Sequence, residues 1–580
     1  MYARFFRWAS DRLNENGVLA FVTNRSFIES RTFDGFRKTV AQEFADIYVV
    51  DLGGDVRANP KLSGTKHNVF GIQTGVAISF MVKRVGTTKD KKPARVFYVR
   101  RPELETAEEK LGFLGKHPMR HLDFDEVSPD KSANWVNLTS NDFETLIPLA
   151  SKESKAAKTA AGERAIFKLF SLGVVTARDD WVFDYDRSDL ATKAEFLIDT
   201  YNRDLIRLEA VRGSSKLEEM LDSSIKWTRA VKNDLRRGTV YEYDDSQIIE
   251  ASYRPFTKAN LYFDKHLNEM QYQLGAMFHG DANPTITFLC VSSSNALAAM
   301  AVEQPFDYCL LKMGNGGTQA VSRWVYDNSG NRVDNITDWA LEQFRAHYQP
   351  VVSAQAGNQS SATILKTAKA KTLDSRLLGN DGIEQRGNDG VGRRANNAAS
   401  ITKEAVFHYC YAVLHDPIYR EKYAQNLKRE FPRIPFYPDF WQWAAWGEAL
   451  MTLHIGYESV SPFPLTRSDE PDEKARIAGL SPKALLRSDA ASGSIVLDSE
   501  TTLRGIPSEA WVYKLGNRCA IDWVLDQYKE KKPKDPTIRE KFDTYRFADY
   551  KEKVIDLLMR VTTVSVETVR LVEAMKAVAR

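Results

Sequence analysis

The groups best suited to chemistry in this 580-residue chain are arginines and lysines set beside rigid aromatics. Arg178 lies in the run Leu172-Gly-Val-Val-Thr-Ala-Arg-Asp-Asp-Trp181. Tyr253, Arg254 and Lys258 lie in Ala251-Ser-Tyr-Arg-Pro-Phe-Thr-Lys258. A guanidinium pairs bidentately with guanine or with phosphate, and an aromatic ring supports or stacks on an extruded base, so these mixtures suit double-stranded DNA. An alternative reading is a turn whose aromatics belong to the core and whose arginine pairs with a nearby aspartate. Arg229, Lys232 and Arg236 share one helical face; such a stripe either follows phosphates or is a solvated surface. His408, His415 and His454 have no partner carboxylate at metal spacing and read as core or surface residues.

Hydrophobic spacing outlines the elements that must position these groups. Phe5, Phe6, Ala9 and Leu13 recur at helical spacing and Asn16-Gly17 supplies a stop. Val18 to Val22 is almost wholly apolar, which predicts a central parallel strand buried on both faces. Phe33, Phe36, Val40 and Phe44 form a second helical stripe, and Ile47 to Leu52 and Val76 to Val82 two further strands. The order α-β-α-β-β is that of the second half of a doubly wound α/β sheet. Ligands of such sheets sit beyond the carboxyl ends of the strands, where Thr23, Asn24, Arg25 and Ser26 fall. Asn24 is the candidate there, with the alternative that Asn24 and Ser26 turn the chain and cap a helix.

The remainder reads as α+β. Short β-like runs fill the middle block, with one clear helix around Ala191 to Arg207. Helices are predicted over Ile401 to Leu414, Tyr419 to Phe431, Trp441 to Tyr457 and Asp549 to Met559, followed by a Thr562 to Arg580 segment; Ser468 to Ser494 reads as a polar loop. Composition breaks divide the chain at 1–150, 151–350, 351–400 and 401–580. The third of these is rich in Ser, Ala, Gly, Asn and Gln and is expected to be a flexible insertion.

Eighty Lys and Arg against 77 Asp and Glu leave a net charge of +3, so a nucleic-acid surface must be a local patch. Cys290, Cys309, Cys410 and Cys519 form neither a CxxC pair nor a zinc spacing and read as reduced thiols. No apolar run approaches the ~20 residues of a membrane span. A soluble, cytoplasmic protein without a membrane partner is expected.

Several ordered motifs carry a family resemblance. Phe21-Val-Thr-Asn24 through Asp51-Leu-Gly-Gly-Asp-Val-Arg57 resembles the distal part of an adenine-N6 DNA methyltransferase. The Leu172 and Tyr253 runs are similar to the C-terminal specificity, or target recognition, region of type ISP restriction-modification enzymes. So are His408-Tyr-Cys-Tyr-Ala-Val-Leu-His415, Phe431-Pro-Arg-Ile-Pro435, Tyr513-Lys-Leu-Gly-Asn-Arg518 and Asp535-Pro-Thr-Ile-Arg539. That family joins a nuclease, a helicase-like ATPase, an adenine methyltransferase and a target recognition domain in one bacterial polypeptide.

An adenine methyltransferase also needs a glycine-rich turn for S-adenosylmethionine and an Asn/Asp-Pro-Pro-Tyr/Phe loop for the extruded adenine. Here Asn59-Pro60 runs into Lys61 and Asn283-Pro284 into Thr285, and no phosphate-binding GxxxxGK[ST] loop occurs. The resemblance therefore implies a DNA-recognising C-terminal portion with no cofactor or catalytic residues of its own, inactive as a methyltransferase alone. S-adenosylmethionine is expected on a missing upstream half, and an upstream methyltransferase or helicase polypeptide is the expected protein partner. The alternatives are a protein-interaction module docking such a partner, or a decayed gene fragment.

Overall fold

The computed structural model describes residues 2–56, 65–85, 93–130, 133–136, 141–151, 164–214, 216–290, 296–311, 316–349, 400–428 and 430–580. The expected insertion at 351–400 thus falls, but for Ser400, outside the described residues.

The N-terminal region follows the expected element order. Helix α1 (Tyr2–Ser10), strand β1 (Gly17–Asn24), helix α2 (Asp34–Glu43) and strands β2 (Asp46–Gly53), β3 (Val76–Lys83) and β4 (Arg95–Arg100) precede helix α3 (Ala107–Lys116) and strand β5 (Asp125–Val127). The first helix stops at Ser10, and Gly17 opens the strand instead of ending the helix. The five strands lie in the order β1-β3-β2-β4-β5. β3 enters antiparallel between β1 and β2, while β2 and β4 are parallel.

The expectation that Val18 to Val22 forms a central strand buried on both faces is not met. Among the described residues β1 is an edge strand whose only ladder is with β3, and Val18 and Val22 are 59% and 50% exposed. Alternation explains this. Leu19, Ile47, Val49, Ala77 and Met81 face α1 and α2 in one core. On the opposite face α3 and the chain around Phe124 cover the β2 side, reaching Val50, Leu52 and Ile78 but leaving Val18, Ala20 and Val22 open.

The rest of the molecule forms two cores, each drawing on chain from both sides of the 351–400 segment. The first joins α4 (Arg187–Arg207), α5 (Arg229–Arg237) and the hairpin β6 (Ile248–Arg254) and β7 (Thr257–Tyr262) to residues 457–564. The second joins β8 (Thr285–Leu289), β9 (Ala298–Val302) and β10 (Gln319–Ser322) to α6 (Lys403–His415) and α7 (Phe440–Ile455). Phe143, Ile147, Leu149 and Ala150 also pack into the second core. β9, β8, β10 and the short strand Ser171–Leu172 make one antiparallel sheet, and β7 lies between β6 and Phe183–Asp184 in another. Helices α6 and α7 pack so closely that a Cβ on Gly447 would stand 1.8 Å from the His408 carbonyl oxygen.

Two expectations near the C-terminus need correction. The predicted polar loop over Ser468 to Ser494 contributes strands Thr466–Asp469 and Ala484–Asp489 to a four-stranded sheet with Ser494–Asp498 and Thr501–Arg504. Its outer residues are polar because only one side of that sheet meets the core. The helix expected to end at Met559 continues as α8, Phe547–Lys576. Thr562 and Ser565 let it pass through the core by donating to the carbonyls of Leu558 and Val561, each at 2.7 Å. Among the described residues no helix is long and apolar enough to cross a membrane.

Candidate nucleic-acid interface

Two of the five candidate residues, Tyr253 and Arg254, contact Asp179, the neighbour of a third, Arg178, where the Arg178 loop meets the β6–β7 hairpin. The hairpin turn Arg254-Pro255-Phe256 puts Phe256 at φ +55° and buries its ring against Tyr457, with centroids 5.3 Å apart. That anchor swings Arg254 inward. Its Nη1 donates to Asp307 Oδ1 at 2.6 Å, and Asp179 Oδ2 lies 3.9 Å from its Nη2. The guanidinium also stacks 3.9 Å over the Tyr253 ring, whose hydroxyl donates to Asp179 Oδ2 at 3.4 Å. Burial pushes the Asp307 carboxyl up to about 6 despite the opposing charge of Arg254.

Arg178 is only 3% exposed. Its Nη2 donates to Thr228 Oγ1, while Nε and Nη1 have no hydrogen-bond partner. Burial without a bonded carboxylate pulls this arginine down to about 10. The preceding Ala177 sits in the left-handed region at φ +57°, so the loop holds an unsatisfied cation on a strained backbone.

Lys258, farther along the hairpin, bridges Glu250 at 3.1 Å and Glu458 at 2.8 Å. Asn24 belongs to the other region, at the carboxyl end of β1. Its Oδ1 accepts from the Ser26 amide at 2.8 Å and from the Ser26 hydroxyl, the turn-forming alternative. The α5 stripe is likewise neutralised. Arg229 pairs with Glu269 at 3.1 Å, and Lys232 and Arg236 both pair with Glu218. An anion approaching any of these cations must share or displace a carboxylate.

Two functional partnerships escaped sequence reasoning. Arg25 lies in the strand-end run, but forms a buried two-bond pair with Asp51, Nε to Oδ1 at 2.9 Å and Nη2 to Oδ2 at 2.8 Å. The same carboxylate accepts from Tyr98 OH at 2.7 Å and from the Gly53 amide N–H at 2.9 Å. This lock ties the carboxyl ends of β1 and β2 together. The second partnership is Trp181 with Asp535, an Nε1 to Oδ2 bond of 2.9 Å that joins the Arg178 loop to the Asp535-Pro motif. Only an Asp-Pro helix start signals Asp535 locally, and nothing local names its distant partner.

The histidines are core residues. His454 Nε2 bonds to Thr568 Oγ1 at 2.9 Å and its Nδ1 to Tyr411 OH at 2.5 Å, while His415 Nδ1 meets the Tyr411 carbonyl at 2.9 Å.

A family model described as the Type ISP C-terminal specificity domain matches residues 165–557. No curated protein matches the chain. Among solved structures, the "cryoEM structure DrdV-DNA complex" is similar over 100% of this chain and 52% of its own, with 42% identity and a TM-score of 0.81. A nuclease-deletion mutant of the Type ISP restriction-modification enzyme LlaGI, in complex with a DNA substrate mimic, is 26% identical over 98% of this chain and 47% of its own, with a TM-score of 0.73. The ATP-dependent Type ISP enzyme LlaBIII, bound to DNA, shares the fold at 22% identity and a TM-score of 0.75, over 99% of this chain and 34% of its own. The chain therefore spans about half the length of the first of these relatives. With the model covering well over half of its residues, the chain belongs to the Type ISP C-terminal specificity domain family.

Proposed function

We propose that this chain recognises a short duplex DNA sequence as the specificity portion of a Type ISP restriction-modification system in bacterial defence. In the same reading it completes an adenine-N6 DNA methyltransferase whose cofactor-binding half lies on an upstream polypeptide segment. The observation that carries the reading is the full-length likeness to a 42% identical relative described in complex with DNA. Arg178, Tyr253, Arg254 and Lys258 form the DNA-facing set: the carboxylate partners of Arg254 and Lys258 give way to phosphates or base edges on binding, while the buried Arg178, which bonds no carboxylate, is uncovered by movement of its loop. Asn24 lies near the methylation pocket.

The upstream half is supported by the N-terminal sheet. β1 has an open ladder edge, and beside it Val18, Ala20 and Val22 face solvent. Such an edge and face invite a further strand and helix. The residues present do not fit S-adenosylmethionine. β1 ends in Thr23-Asn24-Arg25, not a glycine-rich turn, and Arg25 is locked to Asp51. The methyl donor therefore belongs to the upstream segment, with no step assigned to this chain.

Selection of binders from a random duplex pool, followed by titration of the selected and scrambled sequences at several salt concentrations, tests the reading. A selected sequence bound at least tenfold more tightly than its scramble supports recognition; equal affinities with a purely electrostatic salt slope overturn it.

A further inference from the structure

The start of the Arg178 run and the Phe431-Pro-Arg-Ile-Pro435 motif, which the DNA-facing set leaves unused, meet in space. Leu172, from the run leading to Arg178, and Phe431 and Arg433, from Phe431-Pro-Arg-Ile-Pro435, line one cavity of about 570 Å³. That volume lies within the range of small-molecule sites, roughly 300–1,000 Å³. Its walls are mainly apolar and aromatic. Phe431 stands edge-on to Phe170, with centroids 4.9 Å apart, and also packs against Phe288, which fixes its ring. Tyr272, left-handed at φ +49° and 39% exposed, stands at the mouth.

Beside Tyr272, the polar lining comprises Ser151, Ser171, Gln273, Gln319, Glu430 and Arg433. Gln319 on β10 lines the cavity, and its buried Oε1 meets no hydrogen-bond donor among the described residues. Glu430 and Arg433 are the charged side chains in the lining, and they pair with each other at 3.3 Å. Arg433 Nη1 donates further to the Glu144 carbonyl at 3.0 Å. Among the described lining residues the charges therefore cancel, leaving a spare carboxamide acceptor between flat apolar walls. Those properties disfavour a phosphate or any other net charge. They favour a flat, uncharged ring carrying an N–H group that a small turn of the Gln319 amide can meet.

We propose that this cavity is a binding site for an unstacked, neutral nucleobase, held against Phe431 and Tyr272 and hydrogen-bonded by Gln319. The assignment rests on the DNA-recognition reading for its source of bases: a protein that distorts duplex DNA generates unstacked bases that need a dry, flat receptacle.

The test uses the full chain, the four free deoxynucleosides, deoxyribose and deoxyadenosine monophosphate, observed by saturation-transfer NMR. Binding of the random duplex pool is measured in parallel. The expected result is saturation of base protons above sugar protons, no signal from deoxyribose, and no gain in affinity from the phosphate. Gln319→Leu lowers nucleoside affinity about tenfold, the effect of one lost hydrogen bond. Tyr272→Ala, at the exposed mouth where folding is least at risk, lowers it severalfold. Absence of nucleoside binding, or binding unchanged in both variants, overturns the site even where duplex binding is intact. Nucleoside binding that responds to both variants in a chain without duplex affinity supports the site and removes the DNA-recognition reading instead.

Discussion

Two apolar strands of similar composition meet opposite fates in this molecule. Ala298–Val302, set between the two cores, is buried at every position, whereas β1, with its Val18-Leu-Ala-Phe-Val22 run, has Val18, Ala20 and Val22 facing solvent. The difference lies in what surrounds them. Among the described residues both are edge strands with one ladder partner each, but β9 is covered on both faces, by α6 and α7 on one and by the first core on the other, whereas β1 has one covered face. Strand composition thus reports the burial a segment is built for, and the neighbouring elements decide whether it is reached.

The largest expected effect comes from cutting the lock at the strand ends of the N-terminal sheet. Asp51→Ala leaves Arg25 buried beside Glu29 alone, and removing one partner of a buried pair costs about 3–5 kcal/mol. Urea unfolding followed by the near-ultraviolet signal should show the N-terminal sheet melting early while the two cores keep their midpoint. A single transition that shifts as a whole breaks the comparison, because the two regions then form one cooperative unit.

Next in size is the converse change in the helix pair. Gly447→Ala drives a methyl into the His408 carbonyl, a backbone atom that cannot rotate away. Overpacking of this kind costs about 3 kcal/mol or more. The cores should lose that stability while the N-terminal sheet is unmoved. An unchanged melting temperature means the two helices separate without cost.

Much of this was legible in the sequence, for reasons that differ from place to place. Helices α2, α6 and α7 follow apolar stripes that a 3.6-residue period displays directly. The strand order did not follow, because nothing local tells Val76–Lys83 to insert antiparallel between two earlier strands. At the candidate site, the aromatic and basic run at Tyr253 falls on the β6–β7 hairpin. The alternative that Arg254 pairs with an aspartate is what this structure contains, but Asp307 is distant in sequence and carries no signal of its own. Arg178 illustrates the remaining limit: its residue type suggested surface charge, and only tertiary packing buries it.

Proton linkage offers a third way to separate the regions. In the cores, burial holds His454 at about 3, and His415 is also depressed by burial and by the nearby charges of Arg420 and His454. Unfolded histidine titrates near ~6.5, so the unfolded chain takes up protons that the folded chain refuses. Stability is complete above that pH and declines as pH falls from about 6.5 toward 3, by up to roughly 1.4 kcal/mol per unit for each histidine. In the sheet, burial alone would raise Asp51, but the bonds and charge of Arg25 outweigh it and hold the carboxyl low. That contribution is lost only as pH falls below about 4, the unfolded carboxylate value. Urea midpoints measured from pH 8 to 4 should fall for the cores first, and His454→Gln should flatten the slope. An unaltered slope assigns the acid sensitivity elsewhere.

The smallest effect on stability carries the most information about β1. Val18→Lys and Val22→Lys replace half-exposed side chains on the uncovered face, and substitutions there should move stability by less than about 0.5 kcal/mol. Were this face the outside of a finished sheet, nothing else would change except improved solubility, as lysine on an edge strand commonly provides. If it is instead the seat of an upstream strand and helix, the same lysines will block association with a co-expressed upstream segment, since each charge must be desolvated against an apolar partner. Co-purification of wild type but not of the double variant identifies an unfinished sheet. Equal co-purification shows that the partner, where one exists, docks elsewhere, and the contrast between β1 and β9, both edge strands, then reflects a face of β1 that simply lacks cover.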